Sequence, residues 1–202
     1  MKNLVIFLHG VGSCGADMIG LGRHWAEALP DTDFAAPDGP DAFDMYAQAS
    51  GRQWFSVKGV TAENRAARIL EAREAFDATL RDAMAERGID DVSRVALVGF
   101  SQGSIMALDA VVSGRWPVAA VVAYSGRLSS PQPWAPASVP VLIAHGDQDE
   151  VIPFSESLSA ADALKAAGLN AEAHILPGLG HSINAPGSRL GAAFLARHLA
   201  GV

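Results

Sequence analysis

A single cysteine, Cys14, leaves this chain unable to close an internal disulfide, so it must rely on a packed core, and its composition suits a reducing compartment. No motif marks Cys14 as a nucleophile, and it reads as structural. Positive charge is also scarce: 15 Lys and Arg stand against 22 Asp and Glu, a formal net charge of −7. That balance repels polyphosphate and offers no basic footprint for nucleic acid. No apolar run approaches the roughly 20 residues that cross a bilayer. The early run Leu4 to Leu8 is too short for the core of a secretory signal, so a cytoplasmic, non-exported protein is expected.

The 202 residues, half of them hydrophobic and 18% charged, fit one domain over 1–202. A chain of this length buries roughly 70% of its unfolded surface and needs no metal staple. Short apolar runs recur at Leu4 to Leu8, Phe34 to Ala36, Val95 to Val98, Val118 to Ala123, Val139 to Ala144 and Ala171 to Leu176. Without polar alternation, they suit strands buried on both faces of a mainly parallel sheet. Between them lie helical patterns. Ile69, Phe76, Leu80 and Met84 define a helix from Thr61 to Arg87 that ends at Gly88. Residues 102–112 are apolar nearly all round, as in a buried helix, and weaker helices fit 16–29, 155–167 and 188–199. Alternation of strand and helix from end to end predicts an α/β fold, a three-layer α/β/α sandwich. Two segments, 37–60 and 126–138, carry Pro, Gly and Trp and read as long loops facing a substrate.

The strand Val95 to Val98 runs straight into Gly99-Phe100-Ser101-Gln102-Gly103, and a buried helix follows. That is the context of a G-x-S-x-G nucleophile elbow, where side chains at 99 and 103 would collide with the neighbouring strand and helix. A serine hydroxyl is weakly nucleophilic until a base takes its proton, so Ser101 calls for a histidine, and the histidine for a carboxylate. Downstream, the strand ending at Ala144 leads into His145-Gly146-Asp147-Gln148-Asp149-Glu150, and the last strand leads through Gly178 and Gly180 to His181. Ser101, Asp149 and His181 are therefore the catalytic candidates. Asp147 and Glu150 lie too close for chemistry alone to choose, but Asp149 precedes Val151-Ile152-Pro153, an apolar stretch able to dock the loop. His9 and His145 end strands and read as structural supports.

Gly10, Gly12 and Gly15 after the first strand also match the G-x-G-x-x-G dinucleotide fingerprint, so a nucleotide-dependent oxidoreductase is the competing class. It requires an acidic residue ending the second strand, for which Phe34-Ala35-Ala36-Pro37 is poorly suited, and it leaves Ser101, Asp149 and His181 without a role. In a hydrolase the same loop supplies an oxyanion-hole N–H from Val11, with a second from Gln102. Trp54, Phe55, Trp134 and Val151 are the candidate substrate-binding residues.

Leu8 to Gly12, Trp54-Phe55, Gly88-Ile89-Asp90, Gly99 to Gly103, His145 to Pro153 and Gly180-His181 together resemble the phospholipase/carboxylesterase family, which includes bacterial carboxylesterases and acyl-protein thioesterases. The resemblance spans nearly the whole chain. It implies an α/β-hydrolase fold with no cap domain, ester or thioester hydrolysis, an apolar acyl groove, and neither cofactor nor metal. Within its His-Gly-x-x-Asp pattern the acid aligns with Asp149. Some family members are homodimers; this sequence does not show an interface. Ser56, Ser104 and Val11 depart from the residues usual in the family and are expected to border the pocket.

Overall fold

Residues 2–46 and 50–199 are described by the computed structural model. Six strands form one sheet: β1 (Asn3–Leu8), β2 (Thr32–Ala35), and, after a two-residue hairpin β3 (Asp41–Ala42) and β4 (Arg52–Gln53), β5 (Val95–Phe100), β6 (Ala120–Tyr124), β7 (Val141–Gly146) and β8 (Ala171–Leu176). Every pairing in the order β2-β1-β5-β6-β7-β8 is parallel. The helices are α1 (Gly15–Met18), α2 (Gly20–Trp25), α3 (Arg65–Glu86), α4 (Gln102–Val112), α5 (Ser155–Ala166) and α6 (Ala185–Leu199).

Alternation along each central strand divides the core in two. Leu4, Ile6, Leu97, Val121 and Ile143 pack with residues of α3, α4 and α5, whereas Val5, Phe7, Val98, Val122 and Leu142 pack with Trp25 of α2 and Phe194 and Leu195 of α6. Both faces are thus covered, which is the three-layer sandwich the apolar strand runs predict. The edge strand β8 differs from that expectation. Glu172 and His174 lie 3.7 Å apart and about half exposed, because only one face of an edge strand is fully covered.

The order also fixes where a site can form. β1 sends its chain outward to β2 on one side, while β5 lies on its other side, so the crevice beyond the C-terminal ends of β1 and β5 is a topological switch point. The loops after these two strands carry His9 to Gly15 and Ser101. No helix among the described residues is long and apolar enough to cross a membrane.

Candidate active site

Ser101 joins β5 to α4 with φ 52° and ψ −113°, a conformation that strains any residue with a side chain. The turn is enforced from both sides. A Cβ on Gly99 would overlap Ser104 N at the start of α4, and one on Gly103 would overlap Leu8 O in β1, so both positions must remain glycine. Tyr124 O accepts from Ser101 N–H at 2.9 Å and from the Ser104 hydroxyl at 2.7 Å, tying the elbow to the end of β6.

The loop after β7 brings the acid. Asp149 Oδ1 accepts the N–H groups of Val151 and Ile152, each at 2.9 Å, and Oδ2 lies 2.7 Å from His181 Nδ1. Burial pushes this carboxyl up, but the bonds from Ile152, His181 and Val151 outweigh it and hold the group below its ordinary value. Asp147 is turned elsewhere, accepting Gly178 N–H at 2.7 Å, and Glu150 is exposed. His181 is half-buried, with its ring 4.9 Å from that of Phe100, the residue preceding the elbow serine. Ser101 and His181 share no hydrogen bond among the described residues; catalytic bonds of this kind often tighten only with substrate bound.

The loop after β1 supplies the opposite wall. Gly12 N–H donates to Arg52 O at 2.8 Å and Ser13 N–H to Gly10 O at 3.2 Å, while Val11 N–H has no backbone acceptor among the described residues. Gln102, first residue of α4, likewise has an N–H for which helix geometry offers no acceptor. His9 braces this loop: Gly39 N–H donates to Nε2 at 2.8 Å, so the ring proton sits on Nδ1, which donates to Gly10 O at 2.7 Å. Burial holds the His9 imidazole below its ordinary value.

Packing turns two of the four candidate substrate contacts, Trp54 and Phe55, into the core. Trp54 is only 1% exposed: its ring lies between His9 and Phe76, and Nε1 donates to His9 O at 2.9 Å. Phe55 is buried in the same core, and Trp134 packs partly buried against it with Nε1 donating to Ser130 O at 3.2 Å. Trp54 and Phe55 thus belong to the core beside the β3–β4 hairpin, which ends at Gln53, while Trp134 keeps part of its surface in solvent. Arg52 ties that hairpin to Gly39 O and Pro40 O at 2.9 and 2.6 Å. Val151, by contrast, is 64% exposed two residues past Asp149. Ser104 does not border a pocket either; it is fully buried, and Gly126 leaves the space its side chain fills.

The nucleotide alternative fails on the same loop. Gly15 N–H, which opens α1, donates to the Asp38 carboxylate at 2.8 Å, so an acid stands where a phosphate would need that donor.

An all-parallel sheet covered on both faces, with a strand-turn-helix elbow at its switch point and no cap among the described residues, defines an α/β-hydrolase. The phospholipase/carboxylesterase family model matches residues 1–199, and the chain belongs to that family. It is 32% identical over 183 residues to the esterase YpfH of Escherichia coli, covering 91% of this chain and 77% of that protein. With acyl-protein thioesterase 1 of Neurospora crassa it shares 26% identity over 197 residues, covering 88% and 79%. The crystal structure of esterase PE8 superposes with a TM-score of 0.89 at 36% identity, covering 98% of this chain and 93% of that one. The chain is accordingly a hydrolase of the carboxylesterase and acyl-protein thioesterase type.

Proposed function

We propose that the domain 1–202 cleaves small carboxylic esters or thioesters through an acyl-enzyme on Ser101, with His181 as base and acid and Asp149 as its orienting carboxylate. The observation that carries this reading is the 2.7 Å contact between Asp149 Oδ2 and His181 Nδ1, made by a carboxylate whose other oxygen is fixed by two backbone N–H groups. With Nδ1–H donated to Asp149, Nε2 is left as the proton acceptor.

Ser101 Oγ attacks the carbonyl carbon as its proton passes to His181 Nε2. The developing oxyanion is met by the N–H groups of Val11 and Gln102. His181 then protonates the leaving oxygen or sulfur as its bond to carbon breaks. Water repeats the sequence in reverse, giving its proton to His181, and the acid departs as Oγ recovers a proton. Val151 is exposed and Trp134 partly so, and an apolar acyl chain reaching them gains up to about 0.8 kcal/mol per buried CH₂.

The test is hydrolysis of p-nitrophenyl esters from acetate to octanoate by the wild type and Ser101→Ala. The wild type should turn them over with kcat/KM rising with chain length, and the variant should lose on the order of 10⁶ in turnover. Wild-type rates in Ser101→Ala would rule out the acyl-enzyme, and equal kcat/KM along the series would rule out the apolar contact.

A further inference from the structure

His145, at the end of β7, is fully buried and contacts the candidate acid. Its ring proton can be located from its neighbours. The Ser157 hydroxyl has one proton and two acceptors in reach, His145 Nδ1 at 2.6 Å and Gly126 O at 3.3 Å. Both groups that face Nε2, Ile152 O and the Asp149 carboxylate, can only accept, so the ring carries its proton on Nε2 and Nδ1 accepts from the Ser157 hydroxyl. Nε2 faces Ile152 O at 2.8 Å and Asp149 Oδ2 at 3.0 Å. That oxygen is the one touched by His181 Nδ1 at 2.7 Å.

We propose that His145 is a positioning residue for the hydrolysis: its Nε2–H is donated to Ile152 O, and the same ring edge, 3.0 Å from Asp149 Oδ2, sets its positive side against the carboxylate and keeps it in the orientation that holds His181. The role rests on the Ser101–His181–Asp149 assignment above. Asp149 accepts three hydrogen bonds, two on Oδ1 and one on Oδ2, and the His145 ring edge 3.0 Å from Oδ2 occupies the space into which that oxygen would otherwise turn. Without His145 beside it, Oδ2 is steadied by His181 alone, and the carboxylate can turn about its Oδ1 anchor and carry the base away from Ser101. Misplacement of a catalytic group by about 1 Å can cost on the order of 10²-fold in rate. His145 is buried beneath the acid, out of substrate's reach, so the loss should fall on kcat and spare KM.

The experiment compares His145→Met, which fills the space without a donor, and His145→Gln, whose amide can donate near the position of Nε2, each alone and combined with Asp149→Asn. On folded protein, His145→Met should lower kcat by about 10- to 100-fold with KM within about twofold, and His145→Gln should restore most of that loss. In the Asp149→Asn background His145→Met should cost less than about threefold, since the interaction it acts through is already broken. A wild-type kcat in His145→Met, or an equal cost in both backgrounds, would overturn the role and leave His145 as a loop clamp. The catalytic assignment fails separately, if Asp149→Asn alone keeps full activity. Should His145→Met not fold, ¹⁵N NMR of histidine-labelled wild type decides: the proton is expected on Nε2 of His145, and a proton on Nδ1 would contradict the proposal.

Discussion

The Gln102 side chain bridges the nucleophile elbow and the aromatic segment across the crevice, accepting Trp54 N–H at 2.8 Å and donating to Phe55 O at 2.7 Å. All these groups are buried, so the amide is both the fastening of segment 37–60 and the reason Trp54 and Phe55 turn inward. Gln102→Leu keeps the backbone N–H assigned to the oxyanion hole but strands two buried backbone groups, each worth about 1–3 kcal/mol. Urea unfolding is expected to show a loss of about 2–5 kcal/mol. A loss below about 1 kcal/mol would mean that water or another group satisfies the loop.

His9 makes stability depend on pH. Its imidazole is held below its ordinary value by burial, so the folded state disfavours the charged form that the unfolded chain accepts below about pH 6.5. The contribution is fully present above that pH and is lost as pH falls through the folded value. Melting temperature should therefore drop between about pH 7 and 5 in the wild type and drop less steeply in His9→Gln. Parallel pH curves for the two proteins would exclude His9 as the source.

Strain at Ser101 separates activity from stability. A side chain at φ 52° and ψ −113° costs about 1–3 kcal/mol, which glycine avoids and alanine does not. Ser101→Gly and Ser101→Ala should both be inactive, with the glycine variant the more stable in denaturant titrations by about 1 kcal/mol or more. Equal stability would show that the surrounding bonds leave no strain to release.

Asp109 anchors α4 from within. Its fully buried carboxylate takes a two-pronged contact from Arg73 at 2.9 and 2.8 Å and a third bond from Arg115 at 2.9 Å, and Arg115 also pairs with Asp77 at 3.0 Å. Asp109→Ala leaves two guanidinium groups short of a partner and should cost about 3–5 kcal/mol in urea. A cost under about 1 kcal/mol would show that the arginines re-pair elsewhere.

Which features the sequence announced follows from where their signals reside. Apolar runs such as Val95 to Val98 mark central strands because both faces are buried, and the glycines at 99 and 103 mark the elbow because strand and helix meet there without room for a Cβ. The Schellman-type end of α3 at Gly88 was equally local, with Ile89 N–H reaching Met84 O at 3.0 Å. Non-local devices were hidden. The 16–29 helix is broken into α1 and α2, where Gly22 fits beneath Phe34, and the β3–β4 hairpin depends on Arg52 meeting Ser13, far away in sequence. Aromatics on a Pro- and Gly-rich segment read as exposed until Gln102 folds them inward, and Asp109 is invisible in an otherwise apolar helix until Arg73 and Arg115 arrive from elsewhere.

The central claim is that Ser101 is the nucleophile, and active-site labelling tests it most directly. Wild-type protein treated with a fluorophosphonate, digested with trypsin and sequenced by mass spectrometry should carry one adduct on the peptide 95–115, at Ser101 and not at Ser104 or Ser113. Asp149→Asn should label far more slowly at the same atom. An unlabelled protein, or an adduct on any other residue, would contradict the account.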